Sequence, residues 1–153
     1  MTQRIVYSKV SPNAYRALLG LENHVRSSGL DPILKDLVYL RVSQLNSCAF
    51  CIDMHDKDLR AAGEQPERLA LLSAFREAPN FSPRERAALA WAEAVTQLGA
   101  HGVSDADYAA VRAEFTDAEL VELTVAVAMI NAWNRMGVAF RSEPGKYQPA
   151  SVR

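Results

Sequence analysis

Leu37-Val38-Tyr39-Leu40-Arg41-Val42-Ser43-Gln44-Leu45-Asn46-Ser47-Cys48-Ala49-Phe50-Cys51-Ile52-Asp53-Met54-His55 is the stretch on which the reading of this chain turns. Its first half belongs to a helix opened by Asp31-Pro32, an acceptor side chain followed by proline at the first helical position, where the missing N–H is not needed. Ile33, Leu37, Leu40 and Gln44 follow at three- and four-residue steps, with Val38 and Val42 beside them. That is the α-helical period, and it carries to about Asn46 or Ser47. A further helix starts around Cys48 and passes Leu59, Ala61 and Ala62 before Gly63 ends it. On it Cys48 and Cys51 stand at i and i+3, and Cys51 and His55 at i and i+4, so all three project from one face. Helical side chains lean toward their own N-terminus, which aims His55 at the cysteine above it.

Outward from this stretch the punctuation continues to be helical. Ser11-Pro12 starts a helix that Gly29 closes near Ser28, and Pro66 opens a short one carrying Leu69, Leu72 and Phe75 that Pro79 terminates. Ser82-Pro83-Arg84-Glu85 is a capping box whose helix carries Ala88, Trp91, Ala92, Val95 and Leu98 and stops at Gly99. Ser104 to Phe115 is a sixth helix. Thr116-Asp117-Ala118-Glu119, a second capping box, starts a last helix that runs toward Arg141 and is ended by Pro144-Gly145. Strands, internal repeats, low-complexity tracts and linkers are not visible, so residues 1–153 read as one all-α domain of about six to seven helices. The last helix carries Leu120, Val121, Leu123, Val125, Val127, Met129, Ile130, Trp133, Met136 and Phe140 around nearly its whole circumference. Such a helix must be covered on all sides, either as a central core helix or partly by a second subunit.

Bulk composition narrows the function. The chain has 153 residues, 49% hydrophobic and 23% charged, with a formal net charge of -1 and its basic residues dispersed. That excludes attraction to nucleic acid or an anionic membrane by bulk charge. The longest apolar run, Val125 to Ile130, is far short of the ~20 residues that cross a bilayer. Met1 to Val10 lacks the apolar core of a secretory signal, so a cytoplasmic location is expected. Glutathione and thioredoxin keep thiols reduced there, and a CxxC pair in that setting points to redox chemistry or a metal rather than a staple.

Thiol chemistry needs what this face supplies. The reactive species is the thiolate, which is favoured by the unpaired N–H groups of a first helical turn and by an imidazole that takes the proton. A second thiol in reach condenses with a sulfenic acid before it over-oxidises. Two other readings of the pair stand beside this one. Zinc could be held by Cys48, Cys51 and His55 with a fourth ligand from Asp36, Asp53, His24 or His101, although a single helical face fits a tetrahedron poorly. Two inert buried cysteines would leave His55 without a reason. Elsewhere, His24 reads as a solvated side chain near Glu22 and Arg26, and His101 as part of the Gly99–Gly102 turn. Asn131, Trp133 and Asn134 are polar or amphipathic groups in an apolar helix. Buried amides must be hydrogen-bonded, so they either fix a subunit interface, the favoured expectation, or line the thiol pocket.

The run from Leu37 to His55, with Ser-Gln-x-Asn before CxxC and His four residues after it, resembles the AhpD-like alkylhydroperoxidase branch of the carboxymuconolactone decarboxylase family. Ile130-Asn131-Ala132-Trp133-Asn134-Arg135 is also similar to small members of that branch, and the likeness spans about Asp31 to Phe140. The resemblance implies an all-helical, oligomeric fold, a trimer or hexamer, with no bound metal, flavin or haem. It implies a peroxidase acting on a small hydroperoxide, with Cys51 as the peroxidatic residue and Cys48 as proton donor and resolving thiol. It further implies recycling by an external dithiol such as a lipoylated protein or a small thiol. His55 would belong to the relay that deprotonates Cys51. The family's relay glutamate, twelve residues before the first cysteine, is Asp36 here, one methylene shorter, and the histidine that can precede the second cysteine is Phe50. In a simple antiparallel hairpin Asp36 would lie about 18 Å and His55 about 10 Å from the turn, so joining them needs a tilt or a bridge. Asp36 is read equally as a first-turn carboxylate that favours the helix dipole. A dithiol–disulfide reductase or redox sensor, a lactone decarboxylase of the kind that names the family, and a non-catalytic zinc-binding or scaffold protein are the alternatives. Lactone decarboxylation requires proton transfer and no thiol couple, which sets it apart from the cysteine pair.

Overall fold

Burial on all sides selects one helix as the centre of the molecule. In the computed structural model, which describes residues 2–149, Leu34, Leu37, Val38, Tyr39, Leu40, Val42 and Ser43 of the helix Pro32–Leu45 are all buried. The described elements in chain order are α1 (Tyr7–Val10), α2 (Pro12–Ser27), α3 (Pro32–Leu45), α4 (Ala49–Ala61), α5 (Pro66–Ala70), a 3-10 turn (Leu72–Ala74), α6 (Pro83–Thr96), α7 (Asp105–Arg112) and α8 (Asp117–Phe140). The fold is all-helical. Central α3 packs against α4, α6 and α8, while α8 also meets α2, α4 and α6. No helix among the described residues is long and apolar enough to cross a membrane.

The caps read from the sequence are made as drawn. Asp31 accepts from the Leu34 N–H at 2.8 Å. Ser82 with Glu85 and Thr116 with Glu119 each close a reciprocal capping box at the heads of α6 and α8. Two elements differ from expectation. A helical turn, α1, precedes the first expected helix, and the short helix after Pro66 gives way to a 3-10 turn. Leu69, Leu72 and Phe75 are spaced by threes, and all are buried. A tighter helix of three residues per turn keeps such positions on one side, whereas an α-helix would rotate them apart.

Covering α8 is mostly the chain's own work. Leu120, Leu123, Ala126, Val127, Met129, Ile130, Asn134 and Gly137 are buried against its neighbours. Val121 and Val138 stay open, at 61% and 48% exposure. The helix is therefore a core helix with an outward apolar edge.

Between α3 and α4 the chain turns sharply. Asn46 ends α3, Ser47 adopts the left-handed conformation at φ 54°, and the Cys48 N–H donates to the Ser43 carbonyl at 3.0 Å. A side chain in that region costs about 1 kcal/mol, so the elbow has to be held from outside. Asn46 Nδ2 donates to Asn131 and Asn134, both at 2.9 Å, Asn134 donates to Ser43 at 3.0 Å, and Asn131 donates to Thr96 at 2.9 Å. The expectation that Asn131 and Asn134 fix a subunit interface is thereby corrected. Their amides are satisfied inside the chain, where they lash the elbow to α6 and α8, and the Ser-Gln-x-Asn motif supplies the other half of the network.

Candidate thiol redox site

The elbow delivers Cys48 as the N-cap of α4, with Cys51 inside the first turn. The first intrahelical bond of α4 runs from the Ile52 N–H to the Cys48 carbonyl at 2.9 Å. The N–H groups ahead of it have no intrahelical acceptor and present their partial positive charge to the sulfurs. Cys48 and Cys51 lie at disulfide distance, with Cα atoms 5.3 Å apart. Both are almost fully buried, at 1% and 3% exposure. They are not equivalent. Cys51 lines a cavity of about 560 Å³ and Cys48 does not. Overhead, α8 comes so close that a Cβ at Gly137 would lie 2.8 Å from the Cys48 sulfur.

The same cavity gathers His55 and Asp36 beside Cys51. His55 Nδ1 is 3.9 Å from Asp36 Oδ1, closer than a straight hairpin would allow from the sequence spacing. The helices end at Leu45 and begin again at Ala49, so the axial distances from the turn are about 14 and 9 Å at ~1.5 Å per residue, a gap two side chains span together. Asp36 does not lie in the first turn of α3, which begins at Pro32 and holds no acidic residue there, so the dipole reading of this carboxylate falls away.

Burial dominates the electrostatics here. Desolvation, reinforced by the positive charges of Lys35 and Arg26, pushes the His55 pKa down to about 3, so the imidazole is neutral at pH 7. Desolvation, with smaller contributions from the charges of Asp58 and Glu22, lifts Asp36 to about 6 against the opposing pull of Lys35. Of these two groups Asp36 has the proton affinity nearer neutral pH, which suits a general base.

Several cavity residues were not singled out from the sequence. Tyr39 stands one helical turn after Asp36, and its ring meets His55 edge-on at 5.1 Å between centroids. Burial raises its pKa. The Tyr39 hydroxyl and both His55 ring nitrogens are buried without a hydrogen-bond partner. The three-residue step from Asp36 to Tyr39 was the available signal. Tyr7 and Tyr15, also not singled out, form an aromatic wall with Trp133. Trp133, expected from the sequence at a subunit interface or in the thiol pocket, lines the cavity edge-on to Tyr15 at 5.7 Å. The segment after α8 closes one side. Tyr147 donates to Asp58 at 2.7 Å, and Asp53 accepts from the Gly145 N–H and from Lys57, both at 2.9 Å. Phe50 also lines the cavity.

The other zinc candidates are engaged elsewhere. His24 pairs with Glu122 of α8 at 2.9 Å rather than with its helix neighbours, Asp53 is tied as above, and His101 sits exposed in the turn closed by Gly99 and Gly102. Among the described residues no cluster of three or more His, Cys, Asp or Glu is spaced to hold a metal ion.

The model of the carboxymuconolactone decarboxylase family matches residues 12–94. The uncharacterised protein YdfG of Bacillus subtilis is 36% identical over 139 residues, which span 91% of this chain and 95% of that protein. A crystal structure from Agrobacterium tumefaciens, of a protein of unknown function proposed to be the antioxidant defence protein AhpD, is 44% identical with a TM-score of 0.91. It covers 95% of this chain and 100% of its own. An uncharacterised peroxidase-related protein from Ralstonia eutropha JMP134, described as an alkylhydroperoxidase AhpD core, superposes with a TM-score of 0.80 at 24% identity. It covers 92% of this chain and 75% of its own, and at that identity the likeness is one of fold.

Proposed function

The chain belongs to the AhpD-like branch of the carboxymuconolactone decarboxylase family, and on the geometry of its site we propose that it is a thiol-dependent peroxidase. One observation carries the reading. Of two cysteines at disulfide distance, only Cys51 opens onto a cavity, and it shares that cavity with His55 and Asp36. The Cys51 proton passes by way of His55 toward Asp36, and the thiolate is held by the first turn of α4. It attacks the outer peroxide oxygen, the O–O bond breaks, and the alkoxide takes a proton to leave as an alcohol. Cys51 is then a sulfenic acid. The Cys48 thiolate attacks that sulfur, hydroxide leaves as water on protonation, and the disulfide forms. An external dithiol returns two electrons and two protons to the pair.

Position favours this division of labour. Cys48 is shut beneath α8, so a hydroperoxide entering the cavity meets Cys51 first. The open edge of α8 at Val121 and Val138 supports an oligomer that uses this helix, which light scattering would show as a mass well above the 16.9 kDa of one chain.

The test is hydroperoxide consumption with dihydrolipoamide as the dithiol, comparing the wild type with Cys51→Ser and Cys48→Ser. Turnover in the wild type and its loss in both variants is the expected outcome. Wild-type protein that oxidises the dithiol no faster with peroxide than without, or a Cys51→Ser variant that matches it, overturns the proposal. A dithiol–disulfide reductase would use the same couple, and the peroxide arm separates the two.

A further inference from the structure

We propose that Gly137 is a positioning residue: its missing Cβ leaves the space that the Cys48 sulfur occupies in the disulfide, and this sets how far the Cys48–Cys51 couple lies toward its oxidised form. The inference rests on reading that pair as a working redox couple.

A Cβ at Gly137 would stand 2.8 Å from Cys48 Sγ and 3.5 Å from Cys51 Sγ. Non-bonded heavy atoms of this size settle at about 3.5–4.0 Å, so the second distance is a contact and the first a collision. Every other glycine among the described residues has nothing within 4 Å of such an atom. Backbone conformation does not require glycine here either, since Gly137 lies inside α8 and outside the left-handed region. A glycine within a helix is disfavoured relative to alanine, so close approach is the remaining reason for it.

Neither side of the contact gives way easily. Upstream, Asn134 is bonded to Asn46 and Ser43. Downstream, the Gly137 carbonyl accepts from the Ser142 N–H at 2.9 Å and the Phe140 carbonyl from the Arg4 N–H at 3.0 Å. A disulfide sulfur is fixed through its partner, whereas a thiol turns to another rotamer and clears the new methyl group. A Cβ at this position therefore penalises the disulfide and spares the dithiol.

The experiment equilibrates wild type and Gly137→Ala with mixtures of glutathione and glutathione disulfide at pH 7 and counts alkylated cysteines by mass spectrometry. In the reaction the two cysteine thiols give two electrons and two protons to glutathione disulfide, forming the protein disulfide and two glutathione molecules. Overpacking by one methyl predicts an equilibrium constant for disulfide formation lower by about tenfold or more, a potential about 30 mV more positive. The fully reduced variant melts no lower than reduced wild type. Gly137→Ala placed in a Cys48→Ala background, where the sulfur is gone, melts at or above Cys48→Ala alone. An unchanged constant overturns the proposal, and so does a double variant that loses stability or fails to fold. A reduced Gly137→Ala chain that melts well below reduced wild type, or folds only when Cys48 is Ala, overturns it as well, because the thiol then has no rotamer that clears the methyl group. Because no peroxide is used, an inactive peroxidase with an intact couple leaves this test standing, while wild type that forms no disulfide under these conditions sinks both readings.

Discussion

Two polar clusters flank Cys48 and Cys51, and they are finished to different standards. At the elbow, Ser43, Asn46, Asn131, Asn134 and Thr96 bond one another at 2.9–3.0 Å. One helical turn beyond the cysteines, the Tyr39 hydroxyl and both His55 nitrogens are just as buried and bond nothing. Buried polar groups are ordinarily paired, because an orphan costs about 1–3 kcal/mol. The completed network has the marks of a frame. The incomplete one lies in the cavity of the proposed thiol site, where a reduced Cys51 would offer a partner. In the disulfide Cys51 has no S–H to offer His55; in the dithiol it does.

The sharpest way to break this contrast is to delete one member of each cluster. His55→Ala is expected to lower the rate of Cys51 oxidation by about 10²–10⁴-fold, the usual loss on removing a proton-transfer group, with melting unchanged or improved. Stopped-flow oxidation alongside melting curves checks this, and a variant that loses stability but keeps its rate would make His55 a structural residue. Asn134→Ala should do the reverse. It leaves the Ser43 hydroxyl and the Asn46 amide short of a buried partner, for an expected loss of about 2–3 kcal/mol in denaturant unfolding. Its thiol chemistry should survive in the folded fraction.

The contrast was only partly legible in the sequence. Asp31, Ser82 and Thr116 announce helix starts because capping is local chemistry, written within four residues. Cys48, Cys51 and His55 share a face because helical geometry is also local. Gly137 and the partners of Asn131 and Asn134 depend on where α8 meets α3 and α4, about 90 residues apart for the Ser43–Asn134 bond, and no spacing rule spans that. The break after Ala70 was written in the threefold spacing of Leu69, Leu72 and Phe75, which reads as a helix until the 3-10 period is considered. Asp36 stayed open between a relay member and a first-turn carboxylate because its distance from His55, 3.9 Å, depended on where α3 starts and stops.

Titration sharpens the comparison further. Asp36, raised to about 6, contributes stability that is full below its unfolded value near 4 and is lost as pH rises through 6. His55, lowered to about 3, contributes stability that is full above about 6.5 and is lost as pH falls toward 3. Between about pH 4 and 6 the two slopes oppose each other. Asp36→Asn removes one of them, so as pH falls through that window the variant should lose stability faster than wild type, by up to about 1.4 kcal/mol per pH unit, as followed by urea unfolding. Parallel curves for the two proteins would show that Asp36 carries no such shift. The smallest effect is expected at Tyr39. Tyr39→Phe removes an unbonded buried hydroxyl and should change stability by less than about 1 kcal/mol, in the stabilising direction. A loss above that would reveal a hydrogen bond the hydroxyl makes in solution.

The most direct test of Cys51 as the reactive sulfur is a single turnover with the resolving thiol removed. Cys48→Ser is treated with one equivalent of an organic hydroperoxide in the presence of a sulfenic-acid trap, and the adduct is located by peptide mass spectrometry. Stoichiometric labelling at Cys51, slowed in the Cys48→Ser/His55→Ala double variant, is the predicted result. A folded Cys48→Ser protein whose Cys51 stays an unlabelled, alkylatable thiol would contradict it.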